Sequence, residues 1–229
     1  MTRGRFTMFH HDITAAAARE RQKAWLAAAE QARRAQQARR APAGPGRRVI
    51  LRDGSEALIR PVRGTDAPLL ADGFARLSAR SRWMRFLGGK KELSPAELRS
   101  LTEVDHYDRE ALGALDQASG RGVGIARYVR HAADPQAAEI AVTVVDDWQR
   151  LGLGTVLLTQ LADRAREAGI HRFTALVSTE NDAGIRLLRR LNAEFVRREA
   201  DTVVYEIALR PADTHRQPNL LRATGRHHS

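Results

Sequence analysis

The sequence predicts an α/β domain of the α+β kind, a mixed and mostly antiparallel sheet flanked by helices, running from about Val49 to Leu209. Three observations predict it. Short β-branched runs such as Ile140 to Val145 alternate with stretches of helical period such as Leu157, Leu158, Leu161 and Ala165. Strands follow one another in groups, which favours antiparallel neighbours. A regular βαβ repetition, the mark of a doubly wound sheet, does not occur.

Val49 to Leu51 and Glu56 to Val62 read as strands around Asp53-Gly54, a good hairpin turn. Thr65 is placed to cap a helix carrying Leu69, Leu70, Phe74 and Leu77. Ser94-Pro95-Ala96-Glu97 starts another, with Ser as cap, Pro in the first turn and Glu completing a capping box. Strands are expected at Ala111 to Leu115, Gly122 to Arg130 and Glu139 to Val145, then a helix from Gly154 to Ala168. A strand at Arg172 to Val177, a helix at Asp182 to Leu191, and strands at Glu194 to Arg198 and Thr202 to Leu209 complete the domain.

Outside these limits the composition changes. Thr14 to Ala41 holds strong helix formers without Gly or Pro, enough for a helix of roughly 40 Å. Its only large apolar residues are Trp25 and Leu26, with Ile13 just before it, so a domain core would hold it weakly. The segment Ala41 to Gly46 reads as a linker, and Pro211 to Ser229 as a disordered tail. The expected organisation is a basic helical extension at 1–48, one domain at 49–209 and a basic tail at 210–229.

The net charge of +11 divides along the same lines. Residues 1–48 hold 11 Lys/Arg and 3 Asp/Glu, residues 210–229 hold 4 and 1, and residues 49–209 hold 23 of each sign. Charge confined to the ends supports weak, salt-sensitive contact with polyanions, not sequence-specific reading. No cysteine is present, which excludes disulfides, thiolate metal sites and a cysteine acyl-enzyme. The eight histidines show no ligand-like spacing, so no metal is implied. Met1 to His11 lacks the apolar run of a signal peptide, and no stretch is long enough to span a bilayer; the sequence reads as soluble and cytoplasmic.

The most informative stretch runs from Ala138 to Thr155. A β-branched strand leads into a polar turn, then Gln149-Arg150-Leu151-Gly152-Leu153-Gly154, then an amphipathic helix. Glycines at a helix N-terminus let backbone N–H groups approach an anion, and the helix dipole favours negative charge there. Arg150 adds a planar cation suited to phosphate. A dinucleotide-type loop would need a third glycine where Leu157 stands, and a P-loop would need Gly-Lys-Ser/Thr. A glycine turn without a ligand is the plain alternative.

This arrangement resembles the acetyl-CoA-binding loop of the GNAT superfamily of N-acetyltransferases, [Gln/Arg]-x-x-Gly-x-[Gly/Ala], at Gln149, Gly152 and Gly154. The resemblance implies the GNAT acyl-CoA N-acyltransferase fold. It also implies that the amides of Leu151, Gly152, Leu153, Gly154 and Thr155 hold the pyrophosphate, and that backbone groups around Val144 and Val145 pair with pantetheine. A second resemblance rests on Leu51-Arg52-Asp53-Gly54, Ile59-Arg60-Pro61, Leu77-Ser78, Ser81-Arg82, Arg85-Phe86 and Val104 to Glu110. These are similar to the catalytic domain of bacterial protein lysine acetyltransferases, and imply a protein lysine as acceptor.

An amine must be neutral to attack a thioester, and lysine titrates near ~10.4, so a base is needed. Glu139 is the candidate: it opens the strand leading to the loop, and its Ala-Glu-Ile context is similar to that of the general base in lysine acetyltransferases of the superfamily. A solvated strand carboxylate, or one paired with Arg127 or Arg130, is the alternative. The superfamily's usual tyrosine acid would fall seven residues after Asn181, where Leu188 stands. Tyr107 and His106 are weaker substitutes, more in keeping with packing or surface groups. Asn181 suits both a helix N-cap and a contact to the cofactor, and the Val144 N–H could polarise a thioester carbonyl. Besides transfer to a protein lysine, a small-molecule amine acceptor, an acyl-CoA sensor without catalysis and a nucleic-acid-associated protein remain open from the residues alone.

Overall fold

The computed structural model describes residues 46–86 and 90–209. A first hairpin pairs β1 (Arg47–Ile50) with β2 (Glu56–Pro61), and three helices follow: α1 (Ala67–Ala75), α2 (Ala79–Phe86) and α3 (Pro95–Thr102). Next come β3 (Arg109–Asp116), β4 (Gly122–Arg130) and β5 (Ala137–Val144), then α4 (Leu153–Glu167), β6 (Arg172–Ser178), α5 (Asp182–Arg190), β7 (Glu194–Glu199) and β8 (Thr202–Ala208). The strands form one sheet in the order β1-β2-β3-β4-β5-β6-β8-β7. Every neighbouring pair is antiparallel except β5–β6. This is the α+β architecture expected from the sequence.

The core lies between α4 and one face of the sheet. Leu153, Leu157, Leu158, Leu161 and Ala165 of α4 are buried against Leu112, Ala114, Ala126, Tyr128, Ala138 and Ile140. Each fully buried leucine contributes about 1.5–3 kcal/mol by leaving water. The opposite face of β4 is covered by α1, and α3 packs on α1.

Local signals placed most elements within a few residues of the expected limits. At the first turn Gly54 adopts φ +88°, and the Asp53 carboxylate accepts hydrogen bonds from the Ser55 N–H and Oγ at 3.0 and 2.9 Å. The Ser94–Glu97 capping box forms as read. Two expectations need correction. Thr65 does not cap α1; it sits in a 3-10 turn, Gly64–Asp66, and the residue preceding the helix is Asp66. The Asp66 carboxylate makes no cap bond to α1; it accepts hydrogen bonds from the two terminal Arg60 guanidinium nitrogens at 2.7 Å each and from the Arg63 N–H, at the start of the 3-10 turn, at 2.8 Å. The second correction is α2, a helix absent from the expected order: it buries no residue completely, so apolar period alone does not reveal it. The expected helix at 14–41, the linker up to residue 45 and the tail beyond Arg210 lie outside the described residues.

The Arg60–Asp66 pair makes a test of the fold. Burial pushes the Asp66 carboxyl up, and the hydrogen bonds from Arg60 and Arg63 more than reverse this, leaving it below the usual carboxylate range. A folded pKa below the unfolded one, about 3.9, means the contribution is complete above that value and is lost as pH falls through the folded pKa. Asp66→Ala is expected to lower unfolding free energy by about 3 kcal/mol at neutral pH, since it leaves Arg60 buried without its partner. Urea titrations at pH 7 and pH 3 check this: the deficit relative to wild type should shrink at the lower pH.

Candidate active site

The site begins where β5 loses one neighbour. β5 pairs with β4 from Ala138 to Val144, but with β6 only at Ala137, Ala138 and Glu139, opposite Arg172, Phe173 and Thr174. β6 continues to Ser178 against β8. The two halves of the sheet therefore diverge beyond Glu139. Val145 donates its N–H to Val123 C=O at 3.0 Å, so by the alternation of a strand the Val144 N–H and C=O point the other way, into the opening. The Val145 amide expected at the cofactor is thus committed to the sheet, while that of Val144 faces the gap.

Glu139 is exposed at the point of divergence, on the same face of β5 as Ala141, Thr143 and Val145. Those three residues line a cavity between the sheet and the first three helices, to which Arg85 of α2 and Arg127 of β4 also contribute. Neither expected pairing of Glu139 forms. Arg130 is taken by Asp108 at 2.7 Å and by the Ala168 C=O at 2.9 Å. Arg127 makes no ion pair with Glu139 within 4.0 Å among the described residues, although the carboxylate acts on it electrostatically.

The loop after β5 is a 3-10 turn, Asp146–Trp148, followed by Arg150 at φ +64° and Gly152 at φ +98°. Gly152 caps α4 in the left-handed region, where a Cβ costs about 1–2 kcal/mol. The first main-chain bond of the helix runs from Val156 N–H to Gly152 C=O at 3.1 Å, so the N–H groups of Leu153, Gly154 and Thr155 sit at the open end. The Leu153 side chain is buried in the core and leaves only its backbone for a ligand. Gly154 has a packing reason as well: a Cβ there would approach Leu187 Cδ2 of α5 to 3.2 Å. Leu151 C=O accepts the Arg52 N–H at 3.2 Å, tying the loop to the first hairpin, and Arg150 is exposed.

A polar network joins this loop to α2. The Asp146 carboxylate accepts hydrogen bonds from Ser78 N–H at 2.9 Å and from Ser78 Oγ and Ser81 Oγ at 2.8 Å each. Gln149 Nε2 donates to Ser81 Oγ at 3.2 Å and to Val144 C=O at 3.0 Å. Gln149, expected at the cofactor, thus holds the strand end and the start of α2 together. Burial pushes the Asp146 carboxyl up, but its bonds to Ser78 and Ser81 prevail and lower it below the ordinary value.

The remaining candidates are also placed. Asn181 caps α5, its side-chain oxygen accepting Gly184 N–H at 2.9 Å. Leu188 is buried in the core, so no phenol stands at that position. His106 Nδ1 is 2.7 Å from Glu110 Oε1, and the Tyr107 ring lies under the Arg130 guanidinium at 4.8 Å, so both act as packing groups. Among the described residues no cluster of His, Cys, Asp or Glu is placed to hold a metal, and no helix is long and apolar enough to cross a membrane. An open helix end facing a glycine loop, next to a strand edge with free backbone groups, suits an anion joined to an extended polar chain.

The profile of the acetyltransferase (GNAT) domain matches residues 57–194. The chain belongs to the GNAT acetyltransferase family. It is similar to the acetyltransferase PA5475 of Pseudomonas aeruginosa, 42% identical over 135 residues that cover 58% of this chain and 72% of that one. It is also similar to the acetyltransferase Pat of Mycolicibacterium smegmatis, 34% identical over 166 residues. That match covers 72% of this chain and 50% of Pat, so the GNAT chain described here aligns with half the length of that relative. The crystal structure of the GNAT domain of S. lividans PAT superposes with a TM-score of 0.69 at 31% identity, covering 73% of this chain and 99% of that domain. The GNAT protein is therefore an acetyl-CoA-dependent N-acetyltransferase.

Sequence reading missed two parts of this GNAT site. Arg127 shares the cavity-facing side of β4 with Ile125, a charge where alternation calls for an apolar residue, and that was a usable signal. The Asp146–Ser78–Ser81 network had a weaker one, since Asp146 lies 65 residues or more from its two serine partners. Asp146→Ala is expected to speed hydrogen exchange of the α2 amides about tenfold, the loss of roughly 1–2 kcal/mol of hydrogen bonding to Ser78, whose Oγ caps the helix at the Ser81 N–H. Exchange in β4 should be unchanged, and equal α2 rates in variant and wild type would show that the network contributes nothing.

Proposed function

We propose that this GNAT domain, spanning residues 49–209, transfers the acetyl group of acetyl-CoA to the side-chain amine of a protein lysine, with Glu139 as general base. The observation that carries the reading is the position of Glu139: it is exposed at the last residue where β5 pairs with β6, at the apex of the strand opening and beside a cavity. A lysine acceptor is supported by the resemblance of the early helices and the Val104–Glu110 segment to bacterial protein lysine acetyltransferases, and by the similarity to Pat and to the PAT domain.

Acetyl-CoA supplies an activated acyl group as a thioester. In this reading the backbone N–H groups of Leu151 to Thr155 hold its pyrophosphate with Arg150, while the free edge at Val144 takes the extended arm. The N–H of Val144 faces the opening and would donate to the thioester oxygen as charge develops on it. Gln149 and Asn181 act indirectly, the first by fixing Val144 C=O and the second by capping α5. Glu139 accepts a proton from the acceptor ammonium, directly or through water, so that the nitrogen lone pair can attack. The absence of cysteine supports direct attack within a ternary complex over a cysteine-bound acyl intermediate. Water is left as the proton source for the departing thiolate, since Leu188 offers none.

Glu139→Gln should lower kcat by about 10²–10⁴-fold with an acceptor supplied, while calorimetry shows unchanged affinity for acetyl-CoA. Acetylated host proteins identified by mass spectrometry after incubation with labelled acetyl-CoA would name the acceptor. CoA release equal in variant and wild type would remove Glu139 from the reaction, and binding of acetyl-CoA without release from either would favour an acyl-CoA sensor. Gly152→Ala tests the loop separately: it should destabilise the fold by about 1–2 kcal/mol and abolish most of the heat of CoA binding.

A further inference from the structure

Three arginines line the cavity between the first three helices and the sheet, a space of about 90 Å³ with largely apolar walls such as Leu70, Phe74 and Ile125. Arg60 is fully engaged by Asp66. Arg85 and Arg127 differ: among the described residues neither has a carboxylate within ion-pair distance, and Arg85 lies over the Phe86 ring at 4.9 Å. Both are half-buried. Burial and the charge of Arg127 lower the Arg85 pKa to about 10, and burial and the charge of Arg109 lower that of Arg127. Glu139 opposes both shifts, but it is exposed and is a single charge facing two. Two guanidinium groups partly withdrawn from water with no carboxylate at ion-pair distance are costly unless an anion balances them.

The anion is not supplied by the diphosphate of acetyl-CoA. The glycine loop follows Val144, five residues and roughly 16 Å of strand from Glu139, at the far end of β5. Arg127 instead stands opposite Ala141, one step on the same face from Glu139. We propose that the acceptor carries a carboxylate close to the amine that is acetylated, and that Arg85 and Arg127 hold this carboxylate while Glu139 faces the amine. The inference rests on the Glu139 reading above. Planar guanidinium donors match a carboxylate two bonds at a time, and an apolar cavity strengthens each bond. An acceptor of this class carries opposite charges side by side, complementary to the Arg–Arg–Glu arrangement. The carboxylate comes either from an acidic residue flanking a peptide lysine or from the acceptor molecule itself.

Calorimetry on the full chain saturated with CoA separates these sources and tests the idea without relying on turnover. The probes are a capped peptide with Asp beside Lys, its Asn counterpart, ε-aminocaproate and its amide. At least one carboxylate form should bind about tenfold tighter than its amide. A preference confined to the peptides assigns the carboxylate to a flanking residue; one confined to ε-aminocaproate assigns it to the acceptor itself. Arg85→Gln and Arg127→Gln should each remove the preference without changing affinity for the amide forms, and Arg127→Lys should retain part of it. Equal affinity for carboxylate and amide in both pairs, or a preference that survives both glutamine variants, overturns the inference. Binding with the expected preference but no acetylated product would overturn only the catalytic reading.

Discussion

β5 can pair with β6 for only three residues, and the groups assigned to chemistry lie at or beyond the end of that pairing. Each strand then follows a different neighbour, β5 staying in register with β4 and β6 with β8. Sheet twist makes such a separation grow with distance, since each half rotates about its own axis. The result is a wedge with Glu139 at its apex and free main-chain groups along one wall. Unpaired backbone inside a protein is costly unless water or a ligand satisfies it. An opening of this kind is therefore suited to receive an extended polar chain as a substitute strand.

The far end of the wedge is closed by the loop, and its construction shows why two glycines stand two residues apart. They do different things. Gly152 supplies a left-handed backbone that turns the chain into α4, and Gly154 makes room for Leu187 of α5. The open N–H groups at the start of α4 result from the turn, so the geometry that joins strand to helix also prepares the helix end for an anion. A ligand-free glycine turn and an anion site are thus not opposed readings of this loop. One backbone arrangement is compatible with both.

How much of this was legible depended on the distance in sequence over which each feature is decided. The loop, the Ser94 box, the Asn181 cap and the Asp53-Gly54 turn are settled by residues within about four positions, and each was readable. The parting of β5 from β6 was not legible in the residues, because it depends on which distant strands win the competition for pairing. The Thr65 reading failed for a similar reason. A threonine before an apolar run is a reasonable local cap, but Arg60 claims Asp66 and draws the chain into a 3-10 turn first. Helix α2 was missed because its first turn is anchored by Asp146, far along the chain, and its own residues are mostly polar and none is fully buried.

That long-range anchor has a consequence for how the two halves of the site relate. Asp146 and Gln149 belong to the segment leading into the glycine loop, while Ser78 and Ser81 belong to the helix that carries Arg85. Gln149 also grips Val144 C=O, the strand end that borders the opening. A displacement of the loop must therefore be felt at α2, because the bonds between them are short and shared among few atoms. The neutral charge total of residues 49–209 conceals this local arrangement. Averaged over the domain the charges cancel, yet Arg85, Arg127 and Glu139 concentrate them at one end of β5, and the position of one member of that trio is set by the same hydrogen bonds that set the loop. Order at the glycine loop and order at α2 are physically one property of this fold.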